Sequence, residues 1–172
     1  MNDLLCHIAG PSGSGKTTIL KKIHERFPSV LTKDLDEFDE EASEQLSLDS
    51  VRKKDWPDGS LRKLADLRQG LLDAFLAKHI GEKIVLAGFH TEDSHVLRVP
   101  TENRFMLDTS AEASAQRAYE RSQGEKPEHR RTQEDLPLDI QDAEKEIQFL
   151  LQEGYTSMSE DQILSFVKTH AG

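Results

Sequence analysis

Residues 7–20 read HIAGPSGSGKTTIL, with glycine, serine and lysine packed between two apolar runs. Within it, Gly10-Pro11-Ser12-Gly13-Ser14-Gly15-Lys16-Thr17 satisfies the pattern G-x-x-x-x-G-K-[ST] in full. The glycines of such a loop let the chain turn tightly enough for successive N–H groups to face one anion. A helix starting from the loop adds unpaired donors and partial positive charge. Both flanks supply the required context. DLLCHIAG (3–10) is a short apolar run ending in glycine, which predicts a buried strand. Residues 15–27 place Ile19, Leu20, Ile23 and Phe27 on one helical face, and Pro28 ends that helix because it has no N–H to donate. A strand, this loop and a helix together predict a phosphate site lined by Gly10, Ser12, Gly13, Ser14 and Gly15, with Thr18 beside them. Lys16 is expected to reach the β- and γ-phosphates and Thr17 to offer its hydroxyl to Mg²⁺.

Outward from the loop, apolar patterns alternate in type. SVLTKDL (29–35), KIVLAGF (83–89), NRFMLD (103–108) and YTSM (155–158) read as further strands. Between them, Leu61, Leu64, Leu67, Leu71, Leu72, Phe75 and Leu76 recur at helical spacing over 60–80. Thr109 with Glu112 has the spacing of a capping box and predicts a helix through Arg121. Ile140, Ala143, Ile147, Leu150 and Leu151 mark another helix, ended by Gly154. Ser159 and Gln162 cap a last one, with Ile163, Leu164, Phe166 and Val167 on its buried side. This alternation predicts an α/β, three-layer fold: five parallel strands with helices on both faces, in one domain over 1–172. Ligands of such sheets bind beyond the carboxyl ends of the strands, here after residues 9, 34, 88 and 107.

Composition narrows the chemistry. The 172 residues include 22 basic and 32 acidic ones, a net charge of −10, which argues against nucleic acid as the main partner. Any phosphate must therefore be held by local amides, a few cations and a metal ion. No apolar run approaches the roughly 20 residues of a membrane helix, and nothing at the N-terminus reads as a secretion signal. The single Cys6 cannot form an internal disulfide and fits a reducing, cytoplasmic setting. A guanine-specific N-K-x-D and a D-x-x-G switch element are both absent. The length leaves little room for the added parts of a motor or transporter ATPase. A small kinase is the reading left.

Asp34 and Asp36 follow the second strand. If the chain stays extended there, residues two apart share a face, and both carboxylates stand at the ligand edge. One would orient Mg²⁺ through water, and the other would accept a proton from an acceptor hydroxyl. The remaining acids of DLDEFDEEASE read as a solvated surface.

The loop Gly10–Thr17 with this acidic pair resembles the small P-loop kinases built like adenylate, shikimate and gluconate kinases. FMLDTSAEASAQRAYER (105–121) is similar to the segment that leads into their mobile lid. The resemblance implies that Arg117 packs near the nucleotide base and that Arg121 reaches the transferring phosphate. It also implies a lid over about 121–134, with Arg130 and Arg131 as further members, and an acceptor-binding region over about 36–62. Arg52, Lys53, Lys54, Trp56 and Arg62 lie in that region. Arginines brought in by a closing loop stabilise the charge of phosphoryl transfer and exclude water.

The acceptor side departs from the resemblance. Adenylate kinases tend to carry D-G-F-P-R after the third strand, whereas this chain reads Ala87-Gly88-Phe89-His90-Thr91. Gly88 and His90 are the acceptor-side candidates there: Gly88 permits close backbone approach, and His90 is a hydrogen-bonding side chain. A standard nucleoside monophosphate kinase is thereby disfavoured. Three readings follow from the sequence. The first is an ATP- and Mg²⁺-dependent kinase of a hydroxyl-bearing metabolite. The others are an atypical nucleoside or nucleotide kinase, and a non-catalytic ATP-binding sensor or assembly protein.

Overall fold

The apolar run that precedes the glycine-rich loop forms β1 (Asp3–Ala9), the middle strand of a five-stranded parallel sheet. The computed structural model describes residues 3–49, 55–88, 91–92, 95–127 and 130–172. After β1 come α1 (Lys16–Arg26), β2 (Val30–Asp34), α2 (Asp36–Gln45), α3 (Ser60–Lys78) and β3 (Lys83–Ala87). The chain continues through β4 (Thr91–Glu92), β5 (His95–Val96), β6 (Arg104–Leu107), α4 (Ala111–Ser122), α5 (Leu136–Gln152), β7 (Thr156–Met158) and α6 (Glu160–Ala171). The sheet order is β2-β3-β1-β6-β7, and every pairing in it is parallel.

Strands buried on both faces alternate their side chains between two cores. Cys6 and Ile8 of β1, Val85 and Ala87 of β3, and Phe105 and Leu107 of β6 share one core with Ile19, Leu20 and Ile23 of α1 and Ile163, Leu164 and Val167 of α6. On the opposite face, Ile84 and Leu86 pack with Leu35 just before α2, Phe38 of α2, and Leu72 and Leu76 of α3. Ala9 and Met106 meet Leu150 and Tyr155 there as well. The three layers predicted from the alternation are therefore present.

Register aligns the strand ends. Ile8 lies opposite Ala87, Ala87 opposite Asp34, Ala9 opposite Met106, and Leu107 opposite Met158. The loops after 9, 34, 87 and 107 thus leave from one edge. The connections from β1 run first towards β2 and β3, then β6 and β7 add on its other side. That reversal beside β1 is where such sheets open a ligand crevice.

Some local expectations change. The acidic segment after β2 is a helix, α2, anchored by Phe38 and Ala42. Asp36 therefore opens a helix and does not extend the strand. Asp39 is not a bystander of the surface: its Oδ1 accepts from Nη1 of buried Arg68 at 3.1 Å. The cap of α4 is Ser110, whose Oγ accepts from Ala113 N at 3.1 Å, and not Thr109. The capping box at α6 forms as predicted, between Ser159 and Gln162. A small antiparallel pair, β4 with β5, lies outside the main sheet. Among the described residues, no helix is long and apolar enough to cross a membrane.

Candidate active site

The glycine-rich loop closes onto α1, which starts at left-handed Gly15 with no side-chain cap. Gly15 has no side chain with which to take up the first-turn N–H groups, which suits an anion. Ser14 N is tied back to Pro11 O at 3.1 Å. Gly13, with φ +82°, sits against α4 so closely that a Cβ there would lie 2.1 Å from the Ser114 carbonyl oxygen. Only glycine fits that position. Thr109, displaced from its expected capping role, donates its hydroxyl to Ser14 O at 3.2 Å and holds the loop from the end of β6.

A cavity of about 710 Å³ opens over this loop. Gly10, Ser12, Gly13, Ser14, Gly15, Lys16, Thr17 and Thr18 line it together with Asp36, Arg117 and Arg121, so eleven of the residues predicted from sequence converge. Lys16 Nζ donates to Gly10 O (2.6 Å) and Pro11 O (3.0 Å) across the loop. Burial pushes the Lys16 ammonium below its usual pKa, while Glu146, Asp36 and Asp34 favour its charged form. Arg121 Nη2 donates to Ser12 Oγ at 3.0 Å, which brings a guanidinium directly onto the loop. Arg117 lines the same cavity one turn earlier on α4.

At the end of β2, Asp34 joins the loop to α2. Its Oδ2 accepts from Thr17 Oγ1 at 3.3 Å, and its Oδ1 accepts from Asp36 N at 3.0 Å. Asp34 thereby receives the first N–H of α2, and the pair is set by a helix start, not by an extended strand. Desolvation raises the Asp34 carboxyl above its usual value; the Asp36 N–H, the Thr17 hydroxyl and Lys16 oppose this, while the Asp36 carboxylate adds to it.

The donor set is compatible with a magnesium-bound polyphosphate. Thr17 and Asp34 present hard oxygens side by side. Ser14 Oγ is buried with no hydrogen-bond partner among the described residues. Among those residues no group of three or more His, Cys, Asp or Glu could by itself hold a metal.

Other candidates stand elsewhere. Gly88, at φ +108°, is absent from the cavity lining but lies under the acidic pair: a Cβ there would come within 3.1 Å of Leu35 Cβ and 3.4 Å of Asp36 Oδ1. Arg130 Nε donates to Glu125 O at 2.9 Å, and Arg131 Nη1 pairs with Asp139 Oδ2 at 2.8 Å. Neither arginine lines the cavity. Trp56 is half-buried and Arg62 exposed. His90, Arg52, Lys53 and Lys54 lie outside the described residues.

Sequence reasoning missed Asp108, Glu146 and Glu160, all of which line the cavity. It also missed a buried relay behind it. His7 Nε2 bonds the Gly88 carbonyl, and Tyr155 OH lies 2.7 Å from His7 Nδ1. A carbonyl only accepts, so Nε2 carries the proton and Nδ1 accepts from tyrosine. The one visible signal was a histidine inside the otherwise apolar run DLLCHIA.

The fold matches the P-loop fold of a solved shikimate kinase. A shikimate kinase from Acinetobacter baumannii, solved in complex with shikimate, superposes with a TM-score of 0.55 at 16% identity, over 98% of this chain and 93% of that one. A gluconokinase from Sinorhizobium meliloti 1021 gives a TM-score of 0.42, also at 16% identity, over 83% of this chain and 74% of that one. No family model matches the sequence, and no curated protein sequence does. The likeness is thus one of architecture.

Proposed function

We propose that this chain is an ATP- and Mg²⁺-dependent phosphotransferase acting on a hydroxyl-bearing small molecule. The observation that carries the reading is the joining of a complete phosphate loop to Asp34 through Thr17, with Lys16, Asp36 and Arg121 around one cavity. Folds of this kind host several activities, so the residues and not the fold select among them. The likeness in fold to a solved shikimate kinase supports this reading.

Backbone amides from Gly10 to Lys16 would hold the β- and γ-phosphates, and Lys16 would leave its carbonyl partners to join them. Thr17 and, through water, Asp34 would hold magnesium, which when bound ties the phosphates together and neutralises their charge. Asp36, at the cavity wall, would accept the acceptor's hydroxyl proton. Arg121, already at the loop, would stabilise charge on the transferring group, and Arg117 would pack near the base. Residues 121–134, with Arg130 and Arg131, would form the lid, and residues 36–62 with Gly88 and His90 the acceptor side. The whole would act as one domain.

ADP release measured over a panel of sugars, sugar acids, nucleosides and nucleoside monophosphates tests this. At least one hydroxyl acceptor should stimulate release, and Asp36→Asn should abolish the stimulation while nucleotide binding survives. A flat response with tight ATP binding would favour the sensor reading instead. Stimulation by nucleosides or nucleotides alone would favour the atypical nucleotide kinase.

A further inference from the structure

α5 presents Asp139, Ala143, Glu146 and Leu150 at helical spacing along one stripe. Ala143 and Leu150 are buried, and Asp139 and Glu146 are half-buried beside them, where such a stripe calls for apolar side chains. Both carboxylates serve cations. Asp139 Oδ2 takes Arg131 Nη1 at 2.8 Å. Glu146 shares the cavity with Lys16, and of the carboxylates acting on that ammonium it acts most strongly, ahead of Asp36 and Asp34. The cavity lining sets Lys16, Arg117 and Arg121 against the carboxylates of Asp36, Asp108, Glu146 and Glu160. Glu160 is answered by Lys22 at 2.5 Å. A pocket for a bare polyphosphate would not line itself with carboxylates.

We propose that Glu146 is a specificity-determining residue of the nucleotide site, one that selects the metal-neutralised polyphosphate over the free one. The inference rests on the nucleotide reading above. A free nucleoside diphosphate brings about three negative charges into the cavity and its magnesium complex about one, so a fixed carboxylate repels the first roughly three times as strongly. Glu146 lines the cavity that Lys16 lines, so a ligand that carries its own cation meets this carboxylate at little electrostatic cost and a ligand without one meets it as a like charge.

The test is a fluorescence titration of the full chain with mant-ADP, once in excess magnesium and once in EDTA, for the unaltered protein and for E146Q, E146D and E160Q. E146Q should tighten metal-free binding about tenfold and magnesium-complex binding about twofold, so that the ratio of the two Kd values falls about fivefold. E146D keeps the charge and should keep the ratio. E160Q, whose charge Lys22 already answers, should move the ratio by less than about twofold. A merely structural role for Glu146 would weaken both complexes alike and leave the ratio unmoved. An unchanged ratio in E146Q, a lost ratio in E146D, or equal shifts in E146Q and E160Q would overturn the proposal while nucleotide binding stands. Failure of the unaltered protein to bind mant-ADP in either condition would instead refute the nucleotide reading itself.

Discussion

Asp34 concentrates the conflict between folding and chemistry in one side chain. Its oxygens accept from Thr17 and from the first N–H of α2, yet desolvation outweighs these and raises its pKa. The folded state therefore binds this proton more tightly than the unfolded chain does. The ionised form counts against folding at neutral pH, and the penalty vanishes once the pH falls below the usual carboxylate range. Asp34→Asn preserves the shape and an acceptor for the Asp36 N–H. It is expected to raise the Tm at pH 7 by about 1–2 °C, to lose that advantage in acid, and to abolish phosphoryl transfer. Calorimetry across pH beside an activity assay checks all three, and a lower Tm at pH 7 would contradict the sign. At the same scale, Tyr155→Phe removes the donor from buried His7 Nδ1. The tyrosine hydroxyl is itself held neutral, its pKa pushed up to about 12 by burial. A loss of about 1–2 kcal/mol is expected from denaturant unfolding, and nitrogen NMR of His7 in the unaltered protein should show the proton on Nε2.

Elements were legible in the sequence where burial writes a period. The five strands of the sheet are predicted within two residues of their observed ends, and β1, β3 and β6 most plainly because their side chains alternate between opposite cores. α2 escaped notice because only Phe38 and Ala42 of its ten residues are buried, so its pattern reads as a solvated acidic run. The α4 cap slipped by one because Thr109 and Ser110 both qualify locally, and only the tertiary bond from Thr109 to Ser14 O decides between them. The phosphate loop was legible for a different reason: its spacing is dictated by backbone geometry, not by packing. That geometry now includes α4. Gly13→Ala would drive a methyl into the Ser114 carbonyl, so α4 or the loop must move. We expect a loss of about 2–3 kcal/mol in unfolding and at least tenfold weaker mant-ADP binding, because the displaced helix carries Arg117 and Arg121. Gly124→Ala, where the nearest neighbour would lie at 3.5 Å, should change neither by much.

Across the whole molecule, the cavity gathers parts that lie far apart in the chain: the loop after β1, Asp36 after β2, Asp108 after β6, Glu146 on α5 and Glu160 on α6. Such convergence leaves no period in a sequence, which is why Glu146 and the His7–Tyr155 relay could not be read there while the loop could. It also has a thermodynamic consequence. A ligand that touches both sides of the central strand binds only the folded chain, and stabilises it by mass action. With magnesium–ADP at about a hundred times its Kd, the gain is about 2.7 kcal/mol. For a chain of this size that corresponds to a Tm rise of roughly 5–10 °C. Lys16→Ala should remove most of the rise without lowering the Tm of the free protein by much, because the Lys16 ammonium is already disfavoured by burial. Scanning calorimetry of both proteins, with and without magnesium–ADP, decides the matter. A rise that persists undiminished in Lys16→Ala would place the nucleotide somewhere other than the loop of residues 10–17, and the catalytic roles proposed for Asp36 and Arg121 would fall with it.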